Sequence, residues 1–229
     1  TALAEIIAGM HDARGRVTLP GFCDHVRPLS DEERAEMARL PVAEEHYLEQ
    51  TGAPALYGEA GYTSNERVGA RPTLDVNGLL AGFTGPGSKT VIPAWAMAKI
   101  SCRLVPDQKP EEVHRQLLRY LEENAPKDVR WEVTAMHGAV ASISDRHSPA
   151  IQAMERALET VWGSRPFFRR EGGSIPVVGQ MQTILGIESV ICGFGLPDDN
   201  VHAPNEKQHL PTWYRGIETI VHFLLNLKY

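Results

Sequence analysis

His202 stands in the segment GLPDDNVHAPNEK, between the pair Asp198 and Asp199 and the later Glu206. An imidazole in that setting can give a ring nitrogen to a zinc ion, but a zinc centre needs several protein ligands in a tetrahedral arrangement. No HxxxH or HxH spacing supplies them. Taken alone, His202 reads either as a solvated loop side chain or as one ligand of a larger set. A second segment, RREGGSIP (169–176), combines two glycines, a hydroxyl and two guanidinium groups. Gly172 and Gly173 let a backbone come close to a ligand, Ser174 offers its oxygen, and Arg169 or Arg170 can grip a carboxylate with two parallel hydrogen bonds. An ordinary strand-to-helix connection with solvated arginines fits the same residues. The phosphate-loop spacing G-x-x-x-x-G-K-[ST] is absent, and so is the G-x-S-x-G elbow of a serine hydrolase.

Arg103 and Thr90 are further polar residues in suggestive places, one on a strand and one after the turn GPGSK. Each also reads as a solvent-exposed side chain. His11, His25, His46, His114, His137, His147, His209 and His222 share no spacing and read as structural or solvated.

These residues need elements to position them. Leu3, Ile6, Ile7 and Met10 recur at helical spacing, which predicts an opening helix capped by Thr1 and stopped near Gly15. Residues 30–50 read as an exposed helical segment, and the Gly- and Pro-rich stretch 51–72 as loop. Strands are expected over 73–83 and 98–104. In the second, Ala98, Ile100, Cys102 and Leu104 alternate with Lys99, Ser101 and Arg103, which turns Arg103 away from the core. Pro110 opens a helix with Val113, Leu117, Leu118 and Leu121 on one face, and Val129, Trp131 and Val133 predict another strand. This order lacks only a leading strand to make the split β-α-β-β-α-β unit. Beyond a hinge at DRHSP come a helix over 151–161, the RREGGSIP segment, a short helix, an apolar strand SVICGFG, the His202 loop and a last helix over 213–224. The second part resembles half of a layered α/β domain.

Composition bounds the partners. With 42% hydrophobic residues in 229, the chain can build real cores. A formal charge of −6 argues against a nucleic-acid partner, which demands clustered Lys and Arg. The most apolar stretch, IETIVHFLLNL, is too short and too interrupted, by Glu218 and His222, for a membrane span. Cys23, Cys102 and Cys192 are odd in number and widely separated, which suits thiols in a reducing cytoplasm. No signal peptide is visible. The chain starts at Thr1 inside an already periodic pattern, which suggests a piece of something longer.

Three phrases together, RPTLDVNGLLAGFTGPGSKTVIPAWAMAKISCRLVPDQKPEEV, FFRREGGSIPVV and GFGLPDDNVHAPNEK, resemble the M20 family of zinc metallopeptidases, in its carnosinase-like dipeptidase branch. The resemblance covers nearly the whole chain in the right order. It implies an α/β fold with an α+β, ferredoxin-like dimerisation lid over 1–147, followed by an incomplete C-terminal portion of the catalytic domain over 148–229. It also implies a cytoplasmic homodimer with two zinc ions per complete site, acting on a dipeptide with a free C-terminal carboxylate. By resemblance His202 is a zinc ligand. Arg170, Gly173 and Ser174 line the pocket for the substrate carboxylate, Arg103 binds that carboxylate from the lid, and Thr90 reaches towards the partner's site. The family's H-x-D motif, general base and remaining carboxylate ligands have no match here. No catalytic residue is therefore assigned, and the isolated chain is expected to be inactive and to retain little zinc. Hydrolysis of N-acyl or N-carbamoyl amino acids, and a non-catalytic dimerisation module, are the alternatives.

Overall fold

The computed structural model describes residues 1–172 and 175–227. They fall into two units, Thr1–Ser142 with Arg169–Gly179, and Ile143–Phe168 with Gln180–Tyr229.

In the first unit, helix α1 (Ala2–Ala8) ends at Gly9 rather than near Gly15. The Asp12 carboxylate is the reason: it accepts the amides of Arg14 and Arg16 at 2.8 and 2.9 Å and offers the backbone a turn instead of a helix. Gly15 occupies the left-handed region inside that turn, at φ 73°. The helical segment expected over 30–50 is two helices, α2 (Asp31–Ala38) and α3 (Glu44–Thr51). Pro41 separates them, since the residue before a proline is pushed out of the helical region.

A further helix, α4 (Ser64–Ala70), lies in the stretch expected to be loop. It starts with a capping box in which the Thr63 hydroxyl accepts the Glu66 amide and the Glu66 carboxylate accepts the Thr63 amide. Strands β1 (Thr73–Ala81) and β2 (Ala96–Arg103) then pair antiparallel, with Thr73 opposite Arg103 and an irregularity at Asn77.

Along β2 the alternation holds: Ala98, Ile100 and Cys102 are partly covered, while Lys99, Ser101 and Arg103 are exposed. Helix α5 (Pro110–Asn124) begins on proline, whose missing amide costs nothing at the first helical position. Its inner face joins Val113, Tyr120 and Leu121 to Ile6, Met10, Phe22 and Leu74 in one core. Each such side chain contributes about 1.5–3 kcal/mol on burial. Inside it, the Tyr120 hydroxyl donates to the Ile6 carbonyl at 2.9 Å and ties α5 to α1. The buried Gln108 amide donates to the Phe22 carbonyl at 2.7 Å and accepts the Val105 amide at 3.0 Å, fixing the chain leaving β2.

Among the described residues the sheet has two strands, and 129–134, expected as a third, joins no ladder. Val133 still packs on the core, but Trp131, two residues earlier on the face expected to be covered, is exposed, so the expected alternation holds only in part. The apolar run 189–195 likewise carries no ladder: a strand needs a neighbour to take its amides, and the described residues give it none.

In the second unit, α6 (Pro149–Trp162) and α8 (Leu210–Asn226) pack together. Ala153, Ala157, Gly216 and Thr219 lie on the buried faces, and small side chains let two helix backbones come close. The Trp162 indole donates to the Thr219 hydroxyl at 3.0 Å, and Arg215 lies 4.2 Å from the centre of the Trp162 ring. In chain order, α6 is followed by a short helix α7 (Pro176–Gln180), which apart from Gln180 belongs to the first unit, and then by a π-helical turn, Met181–Leu185, in the second. The fold is thus mixed α/β with a small sheet. No helix among the described residues is long and apolar enough to cross a membrane.

Candidate functional site

Three elements of the first unit converge on the segment 170–172. The first is the N-terminus of α2, where Ser30 and Glu33 form a capping box: the Ser30 hydroxyl accepts the Glu33 amide at 3.2 Å, and Glu33 Oε2 accepts the Ser30 amide at 2.9 Å. Its other oxygen, Oε1, accepts Arg170 Nε at 2.9 Å and Nη2 at 2.5 Å. Both side chains are largely covered, at 24% and 11% exposure, so solvent screens this pair less than a surface one. Burial pushes the Glu33 carboxyl up, but the hydrogen bonds from Ser30 and Arg170 outweigh it and hold it below the ordinary glutamate range.

The second element is the end of α4. A Cβ on Gly69 would overlap the Arg170 carbonyl, and one on Gly172 would overlap the Val68 carbonyl oxygen. Both positions therefore need glycine for close approach of two backbones, whatever their φ. The third is the end of β2, where a Cβ on Gly172 would stand 3.7 Å from Arg103 Cγ. Two arginines 67 positions apart, Arg103 and Arg170, thus flank one glycine segment. A planar guanidinium beside exposed loop backbone is suited to a small carboxylate.

Gly173 and Ser174 lie outside the described residues. Thr90 is exposed in the irregular connection between β1 and β2. His202 belongs to the second unit, exposed, in a loop where Asn200, His202 and Asn205 all have left-handed backbones, at φ 53°, 62° and 61°. Asp199 anchors that loop: its Oδ2 accepts the Leu196 amide at 2.7 Å and its carbonyl accepts the Lys207 amide at 2.9 Å. The His202 amide donates to Glu206 at 3.3 Å. A non-glycine residue held left-handed is a local cost that clusters at functional sites.

No group of three or more His, Cys, Asp or Glu able to hold a metal ion occurs among the described residues. The residues present do not by themselves fit a metal centre; His202 offers one imidazole. Sequence reasoning did not single out Glu33 or Gly69. A signal for the first was present in the capping-box spacing Ser30-x-x-Glu33.

The fold is that of a mixed α/β protein with an arginine-flanked glycine segment, and comparison with known proteins gives its family. Residues 1–129 match the M20 family of peptidase dimerisation domains, and the chain belongs to that family. It is 28% identical over 229 residues to the Cys-Gly metallodipeptidase DUG1 of Candida albicans, covering 98% of this chain and 47% of that protein. Against the human Beta-Ala-His dipeptidase it is 28% identical over 231 residues, covering 98% and 45%. The crystal structure of Sso-CP2, an M20 family metallo-carboxypeptidase from Sulfolobus solfataricus, superposes with a TM-score of 0.85 at 31% identity, covering 97% and 51%. The chain spans about half the length of the curated relatives it matches.

Proposed function

We propose that this chain forms the lid and C-terminal catalytic segment of a zinc-dependent M20-type dipeptidase that hydrolyses dipeptides with a free C-terminal carboxylate. The observation that carries the reading is the close seating of Gly172 against Arg103, beside Arg170. Arg103 and Arg170, with Gly173 and Ser174, recognise the substrate carboxylate and orient the peptide, and orientation lowers the barrier by pre-paying entropy. Thr90 reaches towards the site of a second subunit. His202 supplies one zinc ligand. The general base and the remaining ligands of a two-zinc centre have no match in these 229 residues, so the isolated chain is inactive and hydrolysis belongs to the enzyme that brings them together.

The lid, 1–147, pairs two subunits, a reading supported by the family description and by the exposed apolar residues around β1 and β2. Leu79 is 62% exposed and Ile92 91%, which leaves apolar surface for a partner. A cytoplasmic setting fits three free cysteines. The deciding experiment compares the metal-loaded enzyme on a dipeptide, the same dipeptide as its C-terminal amide, an N-acyl amino acid and an N-carbamoyl amino acid. Preference for the free dipeptide supports the reading. Equal turnover of dipeptide and amide ends it, and preference for the acyl or carbamoyl compound makes the protein a deacylase or carbamoyl hydrolase.

A further inference from the structure

We propose that Glu33 is a positioning residue of the carboxylate subsite, acting through Arg170; this rests on the reading of 170–172 as that subsite. Both Glu33 oxygens are committed, Oε2 to the Ser30 amide and Oε1 to Arg170 Nε and Nη2. A carboxylate bound at both oxygens has one rotamer, and it grips the guanidinium on the Nε side. The two hydrogens of Nη1 lie outside that contact and are directed by it, so Glu33 decides where the fork can meet a ligand.

The grip is itself held. Arg34, the next residue on α2, donates to Glu66 Oε1, while Glu66 Oε2 accepts the Thr63 amide at 2.8 Å and caps α4. The far end of α4, at Val68 and Gly69, meets the backbone of Arg170 and Gly172. Hence α2, Arg170, α4 and Arg34 close a circuit of contacts that returns to α2. Removing Glu33 opens it at the link that touches the subsite, and the segment beside Arg103 loses its register. Without that anchor an arginine would have to order its long side chain on binding, which weakens recognition.

The test has two parts on the 229-residue chain labelled with ¹⁵N. Without ligand, Glu33→Gln should shift the Arg170 and Arg103 Nε–H signals and the Gly172 amide, and leave the amides of Leu74 and Leu121 in place. Unmoved Gly172 and Arg103 signals overturn the proposal. Glycylglycine and its C-terminal amide are then titrated. The wild-type chain should bind the free carboxylate more tightly, Glu33→Gln should narrow that preference about tenfold, and Arg103→Ala should abolish it. If Glu33→Gln fails to fold, Arg170→Lys, which keeps the charge but loses the side-on pair, takes its place with the same expected loss. A wild type that does not distinguish the two ligands removes the subsite reading and this proposal with it. A wild type that does, beside an equally selective Glu33→Gln, removes this proposal alone.

Discussion

Gly172 stands against Arg103: a Cβ on the glycine would lie 3.7 Å from the arginine Cγ and would run into the Val68 carbonyl oxygen. A glycine segment, a strand end and a helix end thus meet where any larger side chain would force them apart. The alternation that leaves Arg103 on the exposed face of β2 brings the stem of its side chain to this meeting point.

Arg103→Ala in the full enzyme should therefore weaken recognition of a substrate carboxylate by about 1.5–3 kcal/mol, the scale of a hydrogen bond to a charged group. Expressed as kcat/KM this is roughly a ten- to hundredfold loss. Unchanged kinetics for a dipeptide, measured beside its C-terminal amide, would remove Arg103 from the site.

A second close approach sits in the core. A Cβ on Gly9 would stand 2.5 Å from the Tyr120 hydroxyl, the group that donates to the Ile6 carbonyl. Gly9→Ala should cost about 1–3 kcal/mol in a urea unfolding experiment, the usual scale of overpacking. Tyr120→Phe alone should cost about 0.5–1.5 kcal/mol. Since the phenylalanine removes the clashing oxygen, the double variant should lose clearly less than the sum. Strict additivity would mean the two residues do not touch.

Much of this was legible in the sequence wherever the cause is local. Pro110 and the spacing of Val113, Leu117 and Leu121 marked α5, and the period-2 pattern of Ala98, Ile100 and Cys102 marked β2 and the outward face of Arg103. Helix α4 also had a local signal, Thr63-x-x-Glu66, but it was masked by the glycines and prolines around it. The expectations at 129–134 and 189–195 differ from the structure for another reason. Alternation or apolarity says that a segment has a buried face, as Val133 does, but a ladder depends on a partner strand elsewhere. The pair Glu33 and Arg170 is the extreme case, 137 residues apart, with nothing at either position to announce the other.

The pH dependence of stability should carry the mark of that pair. Hydrogen bonds from Ser30 and Arg170 outweigh burial and depress the Glu33 carboxyl below its unfolded value. A group depressed in the folded state adds stability that is fully present above its unfolded pKa, about 4.3 for glutamate, and is lost as pH falls through the folded value. Denaturation midpoints should thus decline on acidification below about pH 4.5, and Glu33→Gln should flatten part of that decline. Parallel curves for the two proteins would show that Glu33 is not stabilised in its charged form.

The cysteines should separate by reactivity. Burial, with a smaller contribution from the Asp75 charge, pushes the Cys102 thiol up to about 11, and burial also raises Cys192. A thiol reacts through its thiolate. Iodoacetamide at pH 8 should leave Cys102 unmodified in the folded chain, while all three cysteines react in denaturant, as read by peptide mass spectrometry. Rapid labelling of Cys102 in the folded chain would contradict its place on the core-facing side of β2.

His202 combines a strained backbone with the proposed metal role, and the two can be tested apart. At φ 62° an L side chain costs roughly 1–2 kcal/mol that glycine does not. His202→Gly should therefore be more stable than His202→Ala by about 1 kcal/mol, although glycine adds freedom to the unfolded chain and is ordinarily the weaker choice. In the metal-loaded enzyme both substitutions should lower zinc content alike, because both remove the imidazole. If the alanine variant is the more stable one, the left-handed loop at 200–205 is not its folded form. If zinc content is unchanged in both, His202 is no ligand, and the strain at this position serves the shape of the Asp199-anchored loop alone.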